Sequence, residues 1–181
     1  MNILVIGSGG REHAIVWKIH QNKNVKKIYC APGNAGISEL AECVQIKADD
    51  IDGLLKFAKE KKIDLTVVGP EGLLVVGIVD EFEKNNLKIF GPSKAAARLE
   101  GSKIFSKEFL KKYYIPTADF QFFDQKQEAL QYAKEKNIPH IINNAYGVQS
   151  REIMKLIKGA IDAGRVDAIV QSTDKNFLTP V

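Results

Sequence analysis

The sequence is poor in cysteine, with only Cys30 and Cys43 in 181 residues. They form no CxxC pair and have no histidine cluster beside them, which argues against a structural zinc site. With no secretion leader ahead of them, the expectation is two free, buried thiols in a reducing, cytoplasmic compartment. Tryptophan occurs once and histidine three times. The scattered His13, His20 and His140 support no Ser/His/Asp or Cys/His constellation, and Trp17 reads as a core residue of the first helix. Basic and aromatic residues do not interleave, which argues against a nucleic-acid partner. No uninterrupted apolar run approaches the ~20 residues of a membrane span. The opening MNILVIGSGG lacks the basic leader of a signal peptide and reads as a strand. One sign of charge barely exceeds the other: 26 Lys and Arg stand against 22 Asp and Glu, a net +4, which alone implies no polyanionic partner.

What is present is ordinary globular material. Hydrophobic residues make up 45% and charged residues 27%, enough to build a core in one domain or two small ones. Strand-like and helix-like segments alternate. Strands are predicted at 2–6, 25–31, 65–68 and 88–90, with helices over 11–21, 51–62 and 72–85. Asp50 or Asp52 caps the second helix, and Leu54, Leu55 and Ala58 form its apolar stripe. Ser93 and Ser102 begin two further helices, the second ending near Tyr113. Beyond the Ile115-Pro116 step, strands are predicted at 120–123, 139–143 and 167–171, with helices over 125–136 and 150–163. This alternation predicts an α/β fold: a doubly wound, mainly parallel, Rossmann-like sheet, followed by a small βαβ extension or lobe. The seam is placed between 1–114 and 115–181.

Three turns at strand ends carry the chemistry. Gly7-Ser8-Gly9-Gly10-Arg11-Glu12-His13 follows the first strand. Its glycines let backbone N–H groups approach an anion, the helix N-terminus adds positive potential, and Arg11 offers a guanidinium fork. Glu12 stands where a dinucleotide fingerprint needs its third glycine, and no acidic residue closes the second strand, which argues against NAD. Ala31-Pro32-Gly33-Asn34-Ala35-Gly36 and Val68-Gly69-Pro70-Glu71 close two other strands. Ligands in open α/β sheets bind outside the carboxyl ends of the strands, so the three turns together are expected to line one crevice. Asp49, Asp50 and Asp52 are explained by helix capping. The lysines at 59, 61, 62, 107, 111 and 112 read as solvated helix faces.

The segments GSGGREHA, APGNAG, DLTVVGPE, IFGPSKAAARLEGSK and the IPTA step, in this order, resemble the phosphoribosylamine–glycine ligase family (glycinamide ribonucleotide synthetase) from residue 1 to about 136. That resemblance implies a purine-biosynthesis ligase of the ATP-grasp type, using ATP and Mg²⁺, with a Rossmann-like N-terminal domain ahead of the ATP-grasp module. It implies that Gly9, Gly10, Arg11 and Glu12 lie at a phosphoribosylamine site with Gly69, Pro70 and Glu71 beside them, and that Lys103 reaches ATP phosphate. Glu71-Gly72-Leu73-Leu74 departs from the family's GPE-A-P-L, and the missing proline is expected to loosen that loop. After residue 136 the glycine-rich lid and its lysine do not follow; the lysine position falls near Asn143.

From Ile138 onward, IPHIINNAYGVQS and GRVDAIVQSTDKNFLTPV are similar to the phosphoseryl-tRNA selenium transferases, which use pyridoxal phosphate. The resemblance maps that family's Schiff-base lysine onto Lys175. Two signatures on one chain suggest a chimera. The chain is therefore expected to carry no cofactor of its own, to lack ligase turnover, and to keep at most the binding of a small phosphorylated sugar. The alternative is an engineered structural chimera without activity, and a pyridoxal-phosphate site at Lys175 ranks last. Neither nucleic acid nor membrane is an expected partner, and the sequence leaves the oligomeric state open.

Overall fold

A computed structural model of the chain describes residues 1–144, 150–163 and 166–171. The chain divides into two compact units, Met1–Asp119 and Phe120–Val181. The first extends past the seam placed at 114/115 because Lys107 Nζ donates to Thr117 Oγ1 (2.7 Å) and to the Ala118 carbonyl (2.9 Å), holding that stretch to its own helix.

The first unit is a five-stranded parallel sheet of β1 (Asn2–Gly7), β2 (Lys27–Pro32), β3 (Glu42–Cys43), β4 (Leu65–Val68) and β5 (Ile89–Phe90), in the order β3-β2-β1-β4-β5. The doubly wound, Rossmann-like expectation holds. Alternation along central β1 explains the two faces. Leu4 and Ile6 enter a core with Leu54, Leu55 and Ala58 of α2 (Ile51–Glu60), together with Leu73, Ile78, Val79 and Phe82. Ile3 and Val5 enter a second core with Val16 of α1 (Gly10–His20), Ile28, Cys30 and Ile37. A strand covered on both faces must be apolar throughout, as NILVIG nearly is.

Several boundaries differ from expectation. Five strands replace the four predicted, because β3 has two residues and no periodicity to read. The helix expected over 72–85 is two, α3 (Glu71–Val76) and α4 (Ile78–Lys84). Gly77 divides them at φ 100°, left-handed backbone that caps one helix and starts the next. Asp50 caps α2, accepting from Gly53 N at 2.9 Å. Ser93 caps α5 (Lys94–Gly101) and Ser102 caps α6 (Lys103–Lys112), both as expected. Trp17 is 56% exposed rather than in the core, since α1 buries Glu12 and Val16 and turns Trp17 to the opposite side. Cys30 is buried, but Cys43 on edge strand β3 is only half-buried.

The second unit contains α7 (Lys126–Glu135), β6 (Ile141–Asn143), α8 (Arg151–Ala163) and β7 (Ala168–Val170). Strands β6 and β7 pair in parallel, Ile142 opposite Ile169, forming the βαβ lobe. His140 N donates to Asp167 Oδ2 at 2.7 Å at the start of the pair. Residues 120–123 are not a strand: among the described residues no strand pairs with them, and Phe123 packs on Tyr132 of α7, ring centroids 5.3 Å apart.

Candidate functional site

The strand order reverses at β1: β2 and β3 continue to one side, and the chain then returns to β4 on the other. Such a switch point leaves a crevice at the carboxyl edge, between the loops after β1 and β4. The three glycine-bearing turns meet there. Gly33 N donates to Gly7 O (3.0 Å), Asn34 Nδ2 to Ser8 O (2.8 Å) and Gly69 N to Ile6 O (3.0 Å). His13 lies under the β2 loop, where a Cβ on Gly36 would come within 2.7 Å of its Cε1.

Glu12 sits at the centre of these turns and is only 5% exposed. Its Oε2 accepts from Gly9 N at 2.6 Å. A Cβ built on Gly7 would lie 2.5 Å from Glu12 Cγ, one on Gly9 2.9 Å from Oε2, and one on Gly69 would meet Oε1. All three glycines therefore make room for one carboxylate. Sequence reasoning grouped Glu12 with the substrate residues; the structure holds its carboxylate inside, bracing the loops. Nothing in the residue spacing betrays that seat, since Gly69 is remote in sequence.

Arg11 and Glu71 face solvent. Arg11 Nη1 lies 3.3 Å from Glu71 Oε2, and their side chains are 71% and 62% exposed. The pair spans the crevice from the β1 side to the β4 side. Glu71's pKa is lowered, first by a hydrogen bond from its own backbone N–H and then by the charge of Arg11. The amides of Gly10 and Arg11 belong to the first turn of α1, where no carbonyl of the same helix reaches them. Gly72 and Leu73 lie within α3, with Leu73 buried. Lys103 is exposed at the start of α6. Lys175 lies outside the described residues. Among the described residues, no group of three His, Cys, Asp or Glu is arranged to hold a metal ion, and no helix is long and apolar enough to cross a membrane.

A parallel sheet of this order with glycine turns gathered at its switch point defines a Rossmann-like domain. Residues 1–100 match the sequence model of the phosphoribosylglycinamide synthetase N domain, and the chain belongs to that family. It is 54% identical over 166 residues to a phosphoribosylamine–glycine ligase of Caldanaerobacter subterraneus subsp. tengcongensis, covering 92% of this chain and 40% of the relative. It is 47% identical to that of Clostridium acetobutylicum over 98% of this chain and 44% of the relative. The chain thus spans less than half the length of these relatives. The crystal structure of the Thermotoga maritima phosphoribosylamine–glycine ligase superposes with a TM-score of 0.57 at 32% identity, covering 75% of this chain and 30% of that one. The biotin carboxylase domain of Hydrogenobacter thermophilus 2-oxoglutarate carboxylase, at 18% identity and a TM-score of 0.62, shares the fold. Residues 121–181 match the O-phosphoseryl-tRNA(Sec) selenium transferase family, so that resemblance begins upstream of Ile138. The Clostridium alignment crosses the same stretch.

Proposed function

We propose that this chain provides the phosphoribosylamine-binding side of an ATP-dependent glycine ligase of purine biosynthesis, and that it binds a phosphorylated ribose in the cytoplasm without completing the ligation. Arg11 and the first-turn amides of α1 hold the phosphate, and Glu71 takes the ribose hydroxyls or the amine. Gly9, Gly10, Gly69 and Pro70 shape the crevice floor around Glu12. Lys103 is the contact to ATP phosphate in the longer enzyme. The observation that carries this reading is the exposed Arg11–Glu71 pair across the switch-point crevice: one cation and one carboxylate, held by opposite loops, match a ligand with an anionic end and a hydroxyl- or amine-bearing end. ATP and Mg²⁺ would supply the activated glycyl phosphate in the longer enzyme.

The test is a two-dimensional amide spectrum with added ribose 5-phosphate. Shifts confined to Gly9, Gly10, Arg11, Gly69 and Glu71, and lost in Arg11→Ala, support the reading. An unchanged, dispersed spectrum refutes it.

A second reading rests on the transferase match over 121–181. In it the chain is a chimera of a ligase N domain and a transferase fragment, built or arisen without retained activity, and the sugar phosphate moves no resonance. A Schiff base at Lys175 is its remaining chemical outcome; pyridoxal phosphate would then give a yellow protein whose absorbance band disappears in Lys175→Ala.

A further inference from the structure

Two thiols lie side by side beneath the carboxyl-edge loops. Cys30 and Cys43 are register partners on the adjacent parallel strands β2 and β3. Neighbouring strands run about 4.8 Å apart, inside the roughly 4.4–6.8 Å Cα separation that a disulfide bridges. Register partners project to the same face of a sheet. The two side chains border a common space at Gly33, where an added Cβ would meet Cys43 Sγ and lie 3.4 Å from Cys30 Cβ. Each thiol also holds a different site loop: Cys30 Sγ donates to Gly7 O at 3.4 Å, and Cys43 Sγ to Asn34 O at 3.7 Å. Cys43 has access to solvent through a cavity of about 250 Å³ that it lines with Pro32, Gly33, Asn34, Ala35 and Gln45.

We propose that Cys30 and Cys43 are a redox-active pair that a small-molecule disulfide converts into an intramolecular disulfide beneath the site loops. Cys43, the accessible thiol, loses its proton to solvent and attacks one sulfur of oxidised glutathione. That S–S bond breaks, and the departing glutathione thiolate takes up a proton. Cys30 then loses its proton and attacks the Cys43 sulfur of the mixed disulfide, expelling a second glutathione. Two protein thiols are oxidised and one glutathione disulfide is reduced to two thiols. Burial pushes the Cys30 thiol up to about 12, so the second displacement is the slower one. Closing the bond removes both S–H donors: Asn34 O loses its contact with Cys43, while Gly7 O keeps the bond from Gly33 N at 3.0 Å.

The test is intact-mass spectrometry of the whole chain after incubation with oxidised glutathione at mildly alkaline pH. The expected result is a mass lower by two hydrogens, restored by dithiothreitol, with one cross-linked peptide pair containing both cysteines. Cys30→Ser should stop at the glutathione adduct, and Cys43→Ser should stay unmodified. Alkylation of the denatured wild-type chain before and after oxidation gives a second readout that needs no variant to fold: both cysteines label before, neither after. An unchanged mass, or a stable glutathione adduct on wild-type Cys43, overturns the proposal. No ligand enters the test, so its failure is distinct from failure of the sugar-phosphate reading.

Discussion

At Gly69 a side chain has no room. A Cβ built there would meet Glu12 Oε1 and lie 2.5 Å from both Cγ and Cδ of Glu12. Glu12 cannot step aside at small cost, because it is 5% exposed, walled by Gly7 and Gly9, and bonded to Gly9 N at 2.6 Å. Gly69→Ala must therefore drive the carboxylate from its seat. The lost bond to a charged acceptor is worth about 1.5–3 kcal/mol, and overpacking adds about 1–3 kcal/mol. The expected destabilisation is about 3–5 kcal/mol. Glu12→Ala alone leaves Gly9 N–H unpaired and should cost about 1–3 kcal/mol. In the double variant the methyl has nothing to collide with, so the combined loss should fall short of the sum by about 1–3 kcal/mol. Urea unfolding followed by tryptophan fluorescence measures this directly, since the single tryptophan, Trp17, lies on α1 in the same unit. A loss below about 0.5 kcal/mol for Gly69→Ala, or single-variant losses that simply add, would refute the reasoning.

Three further outcomes follow from individual contacts. Asp50→Ala removes the cap accepting from Gly53 N and should lower stability by about 1 kcal/mol in the same unfolding assay, with Asp50→Asn restoring most of it. Gly77→Ala places a side chain at φ 100° with Lys94 Cδ only 3.1 Å away, and should cost about 1–3 kcal/mol. The Glu71 carboxyl is held below its ordinary range, so its contact with Arg11 persists above the lowered pKa and is lost as pH falls through it. A carbon-detected titration should show the Glu71 midpoint rising in Arg11→Ala. The rise should be partial, because the backbone N–H is the larger cause; an unmoved midpoint would contradict the ion pair.

The fold was legible wherever hydrophobic period and capping agreed. NILVIG, DLTVV and the Leu54-Leu55-Ala58 stripe announce a buried parallel strand, its neighbour and a covering helix, and Asp50, Ser93 and Ser102 mark helix starts that the structure keeps. Illegible features were those set by tertiary partners. Strand β3 is two residues long and exists only because β2 offers it an edge. Residues 120–123 read as strand-like, but among the described residues no strand pairs with them. Gly77 looked like an ordinary residue inside an apolar helix, and only its left-handed backbone reveals a break. In the candidate site, the three loops were legible as turns at strand ends, and their meeting followed from parallel topology. The inward course of Glu12 was not, because it depends on Gly69, a residue far along the chain.

That inward course changes the part played by the glycine-rich turn. Read as sequence, GSGG is an anion cradle whose bare amides await a phosphate. In the fold, Gly7 and Gly9, with Gly69 across the crevice, are glycines because Glu12 fills the space their side chains would need. The Gly9 amide is taken by Glu12 and the Gly69 amide by Ile6 O. Glu12 also stands in the first turn of α1, where its negative charge offsets the positive end of the helix dipole. The dipole alone is then a weakened attractor for a second anion. What remains outward is Gly10, with no atom within 4 Å of an added Cβ, the first-turn amides, and the exposed guanidinium of Arg11. The work therefore divides: Glu12 and three glycines lock two loops of a switch point together, and under the proposed function anion recognition falls to Arg11. That guanidinium already faces Glu71 at 3.3 Å, so on the proposed reading an incoming phosphate competes with a carboxylate for it, and Glu71→Gln should tighten ribose 5-phosphate binding in the amide-shift titration; unchanged or weaker binding would refute that competition.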